Sequence, residues 1–286
     1  MQNKWENNSE QNALIWKVSH PNTTKVSYLF GTNHKLDVKK TNPIIKNIVD
    51  SNILNSVDLI LTEVGDVDND SDKIFEGSSL LPMKDKVIKK YKKTMDYNLT
   101  SLGTELGIPV LPLEKIDQGV NALAEAQASR LFKPKNIAKG LAITLTFPIG
   151  IPIYVIQRVI KNKAMLHRSE KHYLHQDITY DYFNHKEVDR KLIINNRNQF
   201  WFNNGVNNFN SSNKKLCELF NQEDLNENCF AIKNLLDKYN LFIAVGAGHL
   251  ISNGFGLIEI LKENGYSVTP VNIIEQPEHH QSCQVI

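Results

Sequence analysis

The chain has 286 residues, 33 Lys and Arg against 31 Asp and Glu, a formal net charge of +2 and a pI of about 8.3. That length can bury a substantial core, and the balanced charge, with no basic stripe interleaved with aromatics, argues against a nucleic-acid partner. The three cysteines, Cys217, Cys229 and Cys283, fit neither a zinc spacing nor a disulfide framework, which points to a reducing compartment.

Residues 1–11, MQNKWENNSEQ, are polar and carry no apolar h-region. They read as a disordered tail with no secretory signal, so the expected location is cytoplasmic or peripheral at a membrane. Residues 12–275 read as a single α/β domain, and 276–286 as a flexible C-terminal tail. Apolar runs at 13–18 and 26–30 flank the polar stretch His20-Pro21-Asn22-Thr23-Thr24, which predicts a hairpin. Gly31-Thr32-Asn33-His34 follows. Residues 42–55 place Ile44, Ile45, Ile48, Val49 and Ile53 at helical spacing. A strand is expected at 57–61, with Thr62 and Glu63 at its end, then a Gly- and Asp-rich loop at 64–79.

Residues 83–106 read as one or two helices. Residues 107–113 read as a strand at a sheet edge or end because of their prolines, and Glu114 follows them. Residues 119–235 lack strand signals and read as a mostly helical insertion. The apolar run 241–245 resumes the sheet and leads into the turn Gly246-Ala247-Gly248, with His249 at its mouth. A helix over 257–263 and a strand over 266–271 complete the pattern. Alternating strands and helices predict a mixed central sheet flanked by helices.

Four of these strands end in reactive residues: His34, Glu63, Glu114 and His249. Parallel neighbours would gather all four at the carboxyl edge of the sheet, where open α/β folds bind ligands. Two imidazoles and a carboxylate suit a divalent metal that lowers the pKa of bound water. The second carboxylate could then act as general base. Without a metal, the same residues suit His/Glu acid–base chemistry on a water. The glycines allow close approach of a substrate, and turn amides can donate to an oxyanion. Each of these residues also has a bland reading: strand-end histidines are commonly structural, and carboxylates there commonly cap helices or form surface ion pairs.

Taken together, Gly31-Thr32-Asn33-His34, Glu63, Asn196-Arg197-Asn198 with Trp201, and Val245-Gly246-Ala247-Gly248-His249-Leu250 resemble the TraB/GumN family over residues 13–272. That family includes the pheromone-shutdown proteins of conjugative plasmids and the Tiki proteases. The resemblance implies an α/β fold related to erythromycin-esterase-like and ChaN-like proteins. It implies a metal-dependent, peptidase-like hydrolase of peptide or small acyl substrates, using Mn, Co or Zn. His34, Glu63 and His249 would be the ligands or catalytic groups. Arg197 and Asn198 would position substrate or stabilise an oxyanion, and Thr32 would lend a hydroxyl. Leu113-Glu114 matches the family's Leu-Glu segment. One departure is Ser252, where the family carries a glycine; the glycines fall later, at Gly254 and Gly256.

Other features point elsewhere. Gly246-x-Gly248 fails as a dinucleotide fingerprint, since the third position is Ile251. His167, Glu170, His172 and His175 match no zincin spacing and read as a solvated helix face or a secondary metal site. Residues 140–156 are 17 uncharged residues flanked by Lys133, Lys135 and Lys139 before and Arg158, Lys161 and Lys163 after. Spanning helices need about 20, and Pro148, Gly150 and Pro152 interrupt this run. It reads as an interfacial or re-entrant membrane contact, or as a buried hairpin or lid. Cys283-Gln284-Val285-Ile286 resembles a prenylation box, meaningful for a protein delivered into a host cell. The alternative to a hydrolase is a protein that sequesters a peptide or lipid without turnover; a third reading is a membrane-surface protein with a vestigial site.

Overall fold

Six strands form one mixed sheet in the order β4-β3-β5-β2-β1-β6. The strands are β1 (Ile15–Ser19), β2 (Val26–Thr32), β3 (Leu59–Val64), β4 (Val110–Glu114), β5 (Leu241–Gly246) and β6 (Ser267–Val271). The computed structural model describes residues 13–33, 36, 38–64, 89, 92–114, 164, 167, 170–174, 188–205, 219–220, 230–250 and 256–273. The segment 140–156, His34, Cys283 and both tails lie outside the described residues.

The predicted hairpin forms: β1 and β2 run antiparallel, with Ile15 opposite Phe30 and Ser19 opposite Val26. β6 pairs antiparallel to the other side of β1. The remaining pairings, β2 with β5, β5 with β3 and β3 with β4, are all parallel. Four adjacent parallel strands therefore end at one edge. Every residue of β5 is buried, as expected of a parallel strand covered on both faces. The two outermost strands each carry a proline, Pro112 in β4 and Pro270 in β6, which suits an edge because proline cannot donate to a further strand.

The helices are α1 (Val38–Asp50), α2 (Met95–Leu106), α3 (Val188–Asn203), α4 (Ile232–Lys238), α5 (Ala247–Leu250) and α6 (Leu257–Glu263). α1 begins ahead of the predicted 42–55, with Pro43 in its first turns, and its pattern continues in a 3-10 turn at Ile53–Ser56. α2 starts where Thr94 caps it, its side chain accepting from Tyr97 N, and stops at Gly107, whose φ of 76° is the left-handed conformation of a helix C-cap. The turn expected at Gly246-Ala247-Gly248 is instead the last residue of β5 running directly into α5, so His249 sits on a helical turn. Among the described residues, no helix is long and apolar enough to cross a membrane.

Two glycines show which helix lies on which face. A Cβ at Gly103 of α2 would stand 2.5 Å from Val110 Cγ2 and 3.2 Å from Ile60 Cδ1. A Cβ at Gly31 would stand 3.0 Å from Leu250 Cδ1 and 3.2 Å from Ala247 Cβ. Ile60 pairs with Phe242 and Gly31 with Val245, three residues further along β5, so strand alternation puts them on opposite faces. α2 covers one face and α5 the other. At the amino edge, Asn240 bridges three strands. Its backbone N donates to Asp58 Oδ2 at 2.8 Å, its carbonyl accepts from Asp58 N at 2.8 Å, and its Oδ1 accepts from Val26 N at 2.9 Å. That edge is closed by hydrogen bonds, and the carboxyl edge is left to hold polar side chains.

Candidate active site

Glu63 ends up inside β3, Glu114 is the last residue of β4, and His249 lies three residues past the end of β5. All three are buried. Arg197 reaches them from α3. Its Nε donates to Glu114 Oε1 at 2.6 Å and its Nη2 to Glu114 Oε2 at 2.7 Å, a two-pronged clamp on one carboxylate. The same Nη2 donates to Glu63 Oε1 at 2.7 Å, and Nη1 lies 3.1 Å from His249 Nε2. The second oxygen of Glu63 accepts from Gly246 N at 2.7 Å. One guanidinium thus ties the ends of three strands together.

Asn198, the next residue on α3, holds the imidazole. Its Nδ2 donates to the His249 carbonyl at 3.1 Å and its Oδ1 faces His249 Nδ1 at 2.7 Å. Trp201 packs against the same ring at a 40° tilt, centroids 4.8 Å apart, while the Arg197 guanidinium lies 4.8 Å over the indole. Arg197 and Trp201 are four residues apart and Asn198 and Trp201 three, so one helix face carries all three. The strands and α5 supply the acceptors and the imidazole; α3 supplies the cation and the orienting amide.

The electrostatics follow from two carboxylates sharing one cation. Burial pushes the Glu114 carboxyl up, the Arg197 clamp pulls against it, and the nearby Glu63 charge adds to the rise. Burial works against the charged form of Arg197, but Glu63 and Glu114 outweigh it and hold the guanidinium more firmly protonated than usual.

Thr32 is 1 % exposed at the end of β2, in register with Gly246, and its hydroxyl has no hydrogen-bond partner among the described residues. It borders the network without joining it. His34 and Cys283 lie outside the described residues, and so does His175. Of the other candidates on that segment, Glu170 pairs with Lys40 of α1.

The described donors do not suit a resident divalent ion in this arrangement. Both Glu63 oxygens accept from N–H groups, both Glu114 oxygens accept from Arg197, and both His249 nitrogens are in hydrogen-bond contact. Among the described residues no three His, Cys, Asp or Glu side chains converge as a metal site. The Arg197 guanidinium stands on the atoms that an ion would have to share.

Two contributions escaped the sequence reading. The bond from Gly246 N to Glu63 is invisible because a backbone amide leaves no residue-type signal. The assignment of Asn198 to His249 rather than to a substrate could have been sought in its adjacency to Arg197 on one helix face. Compared with family models, with curated proteins and with solved structures, the chain matches none.

Proposed function

We propose that the chain is a hydrolase of peptide or small acyl bonds, a TraB/GumN-like protein with a fold of the erythromycin-esterase-like and ChaN-like kind. One observation carries this reading: the buried network of Glu63, Glu114, Arg197, Asn198 and His249 at the carboxyl edge of parallel strands. Such a network combines a held base with a fixed positive charge.

The chemistry uses the chain's own groups. Asn198 Oδ1 accepts from His249 Nδ1–H, which leaves the lone pair on Nε2. Nε2 takes a proton from a water as the water oxygen bonds to the substrate carbonyl carbon. Four of the five Arg197 N–H groups are engaged in the resting site, and substrate exchanges the Nη1 contact to Nε2 for one to the carbonyl oxygen. The guanidinium then stabilises the oxyanion. Glu63 Oε1, 3.7 Å from Nε2, balances the imidazolium. Collapse of the intermediate breaks the acyl bond, and the leaving group takes the proton back from Nε2. No step here runs through the Mn, Co or Zn ion that the family resemblance implies.

The test is a peptide-library turnover screen with wild type, His249→Ala, Glu63→Gln and His34→Ala, each checked for fold by circular dichroism. Turnover by wild type that is lost in His249→Ala supports the reading. A folded His249→Ala that keeps full activity rejects it. The second reading, a protein that sequesters a peptide or lipid, is favoured by the engagement of every carboxylate oxygen of Glu63 and Glu114 and both nitrogens of His249 within the site. It predicts binding without turnover in the same screen. Peripheral membrane contact through residues 140–156 and a prenylated Cys283, in a host cell, belongs to the proposal as well. An unmodified Cys283 by mass spectrometry of protein made in eukaryotic cells would end that part.

A further inference from the structure

We infer that Arg197 is the site's resident cation, and that its guanidinium and a divalent metal ion exclude one another at Glu63, Glu114 and His249. This deepens the hydrolase reading by assigning the electrophile, and it can fail while that reading stands.

Three observations carry it. The first is donor occupancy. An ion would need lone pairs of Glu63 Oε1, of either Glu114 oxygen and of His249 Nε2, and Arg197 N–H groups lie 2.6–3.1 Å from each of these. The second is charge. Two buried carboxylates already share one firmly protonated guanidinium, and a doubly charged ion would have to enter beside it against like-charge repulsion. The third is rigidity. Arg197 packs over Trp201, Trp201 packs against His249, and Asn198 ties α3 to α5 through two contacts. The guanidinium is therefore held by the same helix face that orients the imidazole, and withdrawing it would disturb both.

A metal supplies positive charge to a developing oxyanion. Here the guanidinium occupies that role through Nη1, whose contact to His249 Nε2 gives way to the substrate carbonyl oxygen. The planar fork grips Glu114 edge-on with two N–H groups and reaches Glu63 with a third contact.

The experiment is metal content by plasma mass spectrometry and calorimetric titration with Zn²⁺ and with Mn²⁺. It uses the full chain as wild type, Arg197→Lys, Arg197→Met and His249→Ala. The expected result is no stoichiometric metal in wild type or Arg197→Lys. Arg197→Met, freed of the cation, should bind Zn²⁺ tighter than wild type by on the order of tenfold or more. One equivalent of metal in wild type that is lost in His249→Ala overturns the inference. So does Arg197→Met binding no tighter than wild type. If Arg197→Met does not fold, thermal unfolding of wild type after chelation decides. An unchanged midpoint supports Arg197 as the cation, and a fall in the midpoint restored by Zn²⁺ or Mn²⁺ overturns it. An active, metal-loaded wild type would sink this inference and leave the hydrolase reading intact. A metal-free protein without turnover would do the reverse.

Discussion

Asn198 determines which nitrogen of His249 faces Arg197 and Glu63. The His249 carbonyl can only accept, so the Asn198 group 3.1 Å away must be the amide nitrogen. That orientation turns Oδ1 toward His249 Nδ1 at 2.7 Å, and Nδ1 must then carry the proton. Nε2 is left as the basic nitrogen, on the side of Arg197 and Glu63. The amide acts on the ring as an orienting partner acts on a catalytic histidine. Asn198→Leu should cost about 1–3 kcal/mol by stranding buried polar groups. It should also lower turnover by up to about 100-fold through loss of the held base. Denaturant unfolding and steady-state kinetics measure the two effects, and ¹⁵N imidazole shifts should show the single Nδ1–H form in wild type only.

Removing the shared cation should be the most damaging change to the site. Arg197 is only 21 % exposed and neutralises two buried carboxylates. Arg197→Met should destabilise the protein by about 3–5 kcal/mol, because a buried ion pair is broken and charge is left behind. Adding Glu63→Gln and Glu114→Gln to that variant should recover part of the loss, since the uncompensated charge goes with them. Urea midpoints of the single and triple variants compare directly.

Glu114 should impose a pH dependence on stability. Its carboxyl is raised in the folded protein, chiefly by burial, above its ordinary value of 4.5. The folded state therefore holds its proton longer than the unfolded state does. The stability from this group is complete below the unfolded pKa and is lost as pH rises through the folded one. Glu114→Gln should remove that downward slope. Melting temperatures of wild type and variant, taken across the acidic range, should diverge with the wild type falling more steeply toward neutral pH.

Gly103→Ala tests the layer opposite α5. The added methyl would stand 2.5 Å from Val110 Cγ2, so Val110 or α2 must shift. Overpacking of this kind costs about 1–3 kcal/mol. The site residues lie elsewhere, so the kcat of the folded fraction should not change. A stability loss with intact kinetics is the expected outcome.

Much of the framework was legible along the chain. The apolar runs at 241–245 and 57–61 lie within or across β5 and β3, and the helix expected over 257–263 is α6, Leu257–Glu263. The polar stretch after His20 makes the β1–β2 turn. These signals are local: a run of branched apolar residues or a helical period depends on neighbours a few positions away. Boundaries were less legible. β3 begins at Leu59, after a 3-10 turn, and runs through Glu63, because parallel pairing to β4 and β5 decides where a strand stops. His249 was expected in a glycine turn and stands in α5, since Ala247 and Leu250 pack against Gly31.

The residue types of the site and their positions at strand ends were in the sequence itself. So were the apolar runs that place Glu63, Glu114 and His249 at one edge. What only the tertiary structure decided is the partner of each group. Arg197 is 134 residues from Glu63, 83 from Glu114 and 52 from His249, and the cation lands among them because α3 packs on α5. Hydrogen-bond geometry at that range is set by the packing of whole elements. No local pattern encodes it, and that packing set the Arg197 guanidinium among Glu63, Glu114 and His249.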